Sequence, residues 1–231
     1  MIGMSIAEIA RAVRGEVRDA RPERLVTGAA FLDSRIPVAD GIFVALTGER
    51  VDGHDFARDA IEGGAAVVLG GRATGMPSVV VGDATVALGE LARHVLDRLP
   101  GVRVVGLTGS QGKTGTKDLL AATLGTFAPT VATAGNANNE LGVPLTVLRA
   151  EEDTRFLVVE MGARGVGHIG YLCRIAVPDV AVELNVGVAH LGEFGTKELI
   201  AVAKGELVEA LPAEGTAVLN ADDPLVAAMA S

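Results

Sequence analysis

Val102-Arg103-Val104-Val105-Gly106-Leu107-Thr108-Gly109-Ser110-Gln111-Gly112-Lys113-Thr114 is the stretch that decides the fold. A β-branched apolar run feeds a glycine-rich turn, and Lys-Thr then opens a helical segment. Glycines let the backbone come close to a ligand, and successive N–H groups can point at anionic oxygens. In that arrangement Lys113 reaches the outer phosphates of a nucleotide and the Thr114 hydroxyl faces Mg²⁺. The general phosphate-loop spacing places a glycine five residues before the Gly-Lys pair; here Leu107 stands there and the glycine is at 109.

On either side the chain alternates strand and helix patterns. Downstream, strands are predicted at 102–107, 130–133, 156–161, 179–185 and 216–220, with helices at 113–124, 167–174 and 197–211. Such alternation argues for a mostly parallel sheet with helices on both faces, whose ligands sit at the carboxyl ends of the strands. Upstream, Ser5-Ile6-Ala7-Glu8 reads as a capping box that opens a helix stopped by Gly15. Strands are expected at 26–32, 42–47, 65–69 and 78–81, with a helix at 55–62. Leu88, Leu91, Ala92, Val95, Leu96 and Leu99 form a helical stripe broken by Pro100-Gly101. A domain boundary is placed there, giving units 1–100 and 101–231.

Composition narrows the function classes. Of 231 residues, 49% are hydrophobic and 3% aromatic, and the formal net charge is −9. An aliphatic core is implied, and a general nucleic-acid binder or membrane-surface protein is disfavoured. Cys173 is the only cysteine, so no intrachain disulfide can form. With no leader pattern and no apolar run near the ~20 residues of a membrane span, a cytoplasmic protein is expected.

Several polar residues fall just after predicted strands. Glu160 ends an apolar strand and fits either a cation ligand or a solvated strand end; the phosphate loop upstream favours the cation. His190 lies in another strand-end loop, where an imidazole is structural or a ligand for a Mn²⁺-like ion. Lys204 aligns with Ile200, Val208 and Leu211 on the inner side of its helix. It is either a snorkelling lysine or a desolvated one whose amine is chemically available. Asn136, Asn138 and Asn139 crowd one turn, more than a single helix cap needs. Asp33-Ser34-Arg35 and Gly48–Asp55 are polar clusters that suit a diphosphate or a plain surface turn.

These clusters, in this order, resemble the Mur ligases over essentially the whole chain. Thr108-Gly109-Ser110-Gln111-Gly112-Lys113-Thr114 resembles their ATP loop. Gly135–Asn139, Glu160-Met161-Gly162, Ala189–Gly195 and Ala203-Lys204-Gly205-Glu206 look like the branch that adds a terminal dipeptide. The diamino-acid-adding branch, which shares the upstream clusters Asp33-Ser34-Arg35 and Asp52–Asp55, is one rival, and a non-catalytic nucleotide- or UDP-sugar-binding module is the rival from another class. The resemblance implies an α/β protein, with a small N-terminal UDP-sugar-binding domain before an incomplete central phosphate-loop domain; a C-terminal domain is expected to be absent. It implies ATP and Mg²⁺ (or Mn²⁺), with Thr114, Glu160 and His190 as metal ligands and Asn138 and Asn139 near the ATP. Lys204 becomes the lysine that is carbamoylated, which reverses the bland reading of it, and Ser34 and Arg35 contact the UDP-sugar. The implied partners are UDP-N-acetylmuramoyl-tripeptide and D-alanyl-D-alanine, joined through an acyl phosphate. A full-length form is expected to be monomeric. The shorter chain is expected to be inactive alone and to self-associate through an open sheet edge. Glu183, inside an apolar strand, departs from the family pattern, as does Gly115 early in its helix.

Overall fold

The computed structural model describes residues 1–187 and 194–230, and His190 lies outside them. The chain divides into two compact units, residues 1–98 with 148–151, and residues 99–147 with those from 152 onward.

In the first unit, the described residues form strands β1 (Met4–Ser5), β2 (Glu16–Arg18), β3 (Leu25–Val26), β4 (Ala30–Phe31), β5 (Ile42–Ala45), β6 (Val67–Gly70) and β7 (Ser78–Val80), and helices α1 (Ile6–Ala12), α2 (Ala57–Glu62) and α3 (Ala84–Asp97). The main sheet runs β2-β7-β6-β5-β4, parallel except for β2. Ser5 caps α1 by accepting the Glu8 N–H at 3.1 Å, and Ile6, Ile9 and Ala10 are buried beneath it, as their spacing requires.

The single strand expected over 26–32 is two. Leu25–Val26 pairs antiparallel with Met4–Ser5, whereas Ala30–Phe31 joins the main sheet beside Ile42–Phe43. Between them the Thr27 and Gly28 amides donate to the Asp40 carbonyl. Gly28, without a Cβ, passes hard against that backbone and turns the chain from one sheet to the other. An apolar run shows strand propensity but not which neighbour each half will pair with.

The second unit is wholly parallel among its described strands, in the order β12-β11-β8-β10-β9. These are β8 (Arg103–Thr108), β9 (Thr130–Ala132), β10 (Phe156–Glu160), β11 (Val180–Glu183) and β12 (Thr216–Leu219). The described helices are α4 (Lys113–Gly125), α5 (Gly142–Val147), α6 (His168–Ile175), α7 (Lys197–Glu209) and α8 (Pro224–Ala227). Val104, Leu107, Leu157, Val158, Val159 and Ala181 are buried, so the central strands read as continuous apolar runs because both faces are covered. Thr108, Glu160 and Glu183 each close a strand at the same edge, which is where the polar residues gather.

Helix α5 escaped the sequence reading because Pro144 interrupts its pattern. Asn139 opens it, its Oδ1 accepting the amides of Leu141 at 3.3 Å and Gly142 at 2.9 Å. A Cβ on Gly142 would lie 2.1 Å from the Ala137 carbonyl oxygen and 2.3 Å from its carbon. Gly142→Ala is therefore expected to cost about 2–4 kcal/mol, because backbone on backbone cannot relax as side chains do. Urea denaturation checks this, and an unchanged midpoint would show that the loop yields.

Candidate active site

The turn after β8 is stitched to the turn after β11. The Ser110 and Gln111 amides donate to the Asn185 carbonyl and side-chain oxygens, both at 3.0 Å. The Asn185 amide returns a bond to the Gln111 carbonyl at 3.1 Å, and the Gly187 N–H reaches Ser110 Oγ at 2.8 Å. Gly112 takes a left-handed conformation, φ 80°, at the N-cap of α4, and no side chain caps that helix. First-turn N–H groups need an acceptor, and an anion at the helix N-terminus supplies one. Lys113 Nζ curls back to the Gly109 carbonyl at 2.8 Å.

Beside this loop stands Glu160, 1% exposed. Its Oε2 accepts the Thr114 hydroxyl at 3.0 Å and its Oε1 the Asn138 amide at 2.7 Å. Its own N–H donates to Thr133 Oγ1 at 3.0 Å. Among the described residues no basic side chain pairs with this carboxylate. A buried anion held only by neutral donors, next to a hydroxyl, is a hard-oxygen set that fits a small divalent cation.

Lys204, on α7, is 7% exposed, and its Nζ lies 3.4 Å from Thr108 Oγ1. The inward position expected for it is what the structure holds. Burial lowers its amine to about 8, against the pull of Glu183. Glu183 is 1% exposed, and neither of its oxygens has a hydrogen-bond partner among the described residues. Burial pushes it up to about 7, with Lys204 pulling the other way.

The sign of the pH effect follows. An unfolded glutamate ionises near 4.5, whereas native Glu183 keeps its proton to about 7, so rising pH costs the folded chain stability across that window. For Lys204 the window is about 8 to 10.5, where falling pH costs stability. Relative to a Glu183→Gln variant, the parent is expected to lose on the order of 1–3 kcal/mol between pH 5 and 7. Denaturant titrations of both proteins at the two pH values decide it; parallel behaviour would contradict the assignment.

A cavity of about 800 Å³ unites these groups, lined by Ser110–Gly115, Asn136–Glu140, Glu160, Gly162–Arg164, His168 and Lys204. Lys113, Thr114, Asn138, Asn139, Glu160 and Lys204 thus share one space, with Thr108 and Gly109 behind the loop. Asn139 doubles as the cap of α5. Ser34 and Arg35 belong to the other unit, where the Arg35 guanidinium grips Asp33 at 2.7 and 2.9 Å and holds that carboxyl down at about 2. In the same unit His54 is buried: its Nδ1 is 2.5 Å from Asp52 and its Nε2 accepts the Gly71 N–H at 2.9 Å, so this part of the Gly48–Asp55 cluster is tied to the turn after β6. Sequence reading missed Arg164 and His168. Their signal was position, a glycine-flanked loop directly after the strand ending in Glu160. The Glu206 carboxylate accepts the Gly167 N–H and, at 2.8 Å, that of Gly170.

The chain is similar to known proteins over its whole length. Residues 107–231 match the Mur ligase middle domain, and residues 32–96 match the Mur ligase family catalytic domain. The UDP-N-acetylmuramoyl-tripeptide–D-alanyl-D-alanine ligase of Mycobacterium tuberculosis is 48% identical, covering 100% of this chain and 50% of that protein. The crystal structure of MurF from Acinetobacter baumannii superposes with a TM-score of 0.89 at 35% identity, over 98% of this chain and 51% of that one. MurF ligase from Thermotoga maritima, solved in complex with ADP, gives 0.77 at 40% identity, over 86% of this chain and 47% of that one. The chain spans about half the length of the curated relatives it matches. A loop that presents backbone amides and Lys113, a buried Glu160 beside Thr114, and these likenesses lead to one assignment: the chain belongs to the Mur ligase family.

Proposed function

We propose that the chain is the UDP-substrate- and ATP-binding part of a ligase that joins D-alanyl-D-alanine to UDP-N-acetylmuramoyl-tripeptide. Residues 1–100 serve the UDP-substrate, with Ser34 and Arg35 at its site, and residues 101–231 serve ATP. The observation that carries the reading is the Lys113-Thr114 loop facing the buried Glu160 in one cavity. The names borne by relatives at 40–48% identity support the choice of substrates.

In the reaction, the tripeptide's terminal carboxylate oxygen takes the γ-phosphoryl group of ATP and ADP departs. The dipeptide amine then attacks the acyl carbon, the C–O bond to phosphate breaks, and the amine proton is lost. The protein's part is orientation and charge. Lys113 and the loop amides neutralise phosphate oxygens. Thr114 and Glu160 would hold Mg²⁺, which supplies further charge neutralisation when bound, and the resemblance of Ala189–Gly195 to the family supports reading His190 with them. Lys204, as a carbamate, would add oxygen ligands where its amine gives none.

The test is phosphate release by full-length protein carrying this chain. Turnover of ~1 s⁻¹ or faster that requires ATP, the UDP-muramoyl-tripeptide and D-alanyl-D-alanine together is expected. Turnover with a UDP-muramoyl-dipeptide and a diamino acid instead would favour the other branch, and binding of ATP without turnover a non-catalytic module.

A further inference from the structure

The one buried residue of α4 is a lysine. Lys117, one turn beyond Lys113, is 3% exposed. A helix gains nothing from burying a charge where a leucine would do, unless the ammonium is fully bonded. Two of its donors reach the Thr133 carbonyl at 2.7 Å and the Gly135 carbonyl at 3.2 Å, and the Asp118 carboxylate pairs with the ammonium at 2.7 Å.

The two carbonyls are the telling partners. Thr133 and Gly135 begin the asparagine-rich loop that leaves β9. Thr133 also donates its N–H to the Val158 carbonyl at 3.0 Å and accepts the Glu160 N–H on its hydroxyl at 3.0 Å. Farther along the loop, Asn138 bonds Glu160 Oε1, and its carbonyl accepts the Gly162 N–H at 2.8 Å. The backbone amide of Glu160 and one of its carboxylate oxygens are therefore held by a loop whose first residues are stapled to α4 by Lys117. The other oxygen is held by Thr114, on the same helix.

We propose that Lys117 is a positioning residue of this site: it fixes the asparagine-rich loop to α4 so that Asn138 and Thr133 hold Glu160 in register with Thr114, and so sets the affinity of the site for a divalent cation. This rests on reading the cavity as a nucleotide–cation site, and it adds a residue that touches neither ligand. Groups that orient a metal-binding carboxylate commonly change metal affinity about 10- to 100-fold when lost.

The test compares K117M, which removes the donors, with K117Q, which keeps two of them without charge. Amide hydrogen exchange at Glu160 and Gly162 needs no ligand. Calorimetry measures ADP binding with and without Mg²⁺. Expected for K117M are faster exchange at both amides, a Mg²⁺ half-saturation raised about tenfold, and Mg²⁺-free ADP affinity within about twofold of the parent. K117Q is expected to fall between K117M and the parent on each measure, and carries the test should K117M not fold. Parent-like exchange in both variants would overturn the proposal. So would an equal loss of ADP affinity with and without Mg²⁺, which would mark Lys117 as a mere source of positive field. Failure of the parent to bind ADP at all would sink the nucleotide reading instead, while the exchange measurement still decides whether Lys117 holds Glu160.

Discussion

Lys113→Ala is expected to weaken Mg-ADP binding by about 10- to 150-fold, the equivalent of about 1.5–3 kcal/mol for a hydrogen bond to a charged group. Lys113 sits at the first position of α4, and its ammonium is already folded over the loop onto the Gly109 carbonyl at 2.8 Å. The fold should survive, because Lys113 is only half-buried and makes no ion pair among the described residues. The loop keeps its shape through Asn185, which the substitution leaves alone. Calorimetry with ADP checks the size of the effect, and thermal melting checks the fold. Equal affinities for variant and parent would remove the phosphate loop from the site.

If Glu160 is the direct cation ligand proposed above, Glu160→Ala is expected to raise the Mg²⁺ half-saturation for nucleotide binding by about 100-fold or more, beyond the effect of losing a supporting group. Two donors, the Thr114 hydroxyl and the Asn138 amide, lose their acceptor at once. Nucleotide binding without Mg²⁺ should be unchanged or slightly tighter, since a negative charge beside the phosphates has gone. That split separates a ligand from a structural acid. A structural role would lower both affinities together through local disorder, and the same titrations would then show parallel losses with and without the metal.

Much of this was legible before any coordinates. The strand–turn–helix around Lys113 was legible from its glycines, lysine and hydroxyl, although Leu107 stands where the general spacing has a glycine. Glu160 by itself fitted a solvated strand end equally well, and only the phosphate loop upstream drew it toward the site. Lys204 was readable as inward from helical spacing alone. The cap at Ser5 and the break at Pro100-Gly101 are local chemistry.

What escaped depends on contacts distant in sequence. Lys117 looks like any surface lysine until the Thr133 and Gly135 carbonyls are seen above it. Asn185 is the last residue of the strand expected over 179–185, and its bonds to Gln111 span 74 positions. The split of 26–32 into two strands follows from which sheet each half can reach, which no local pattern encodes. In Gly48–Asp55, too, the contacts are distant in part: Asp52 bonds His54, and His54 Nε2 accepts the Gly71 N–H.

The measurement that bears most directly on this site is a crystal structure with Mg²⁺ and a non-hydrolysable ATP analogue. The expected result places the outer phosphates against the Ser110–Lys113 amides and Lys113 Nζ, with the cation touching Thr114 Oγ1 and a Glu160 carboxylate oxygen. A nucleotide bound away from that loop, or a cation whose shell includes neither Thr114 nor Glu160, would contradict it.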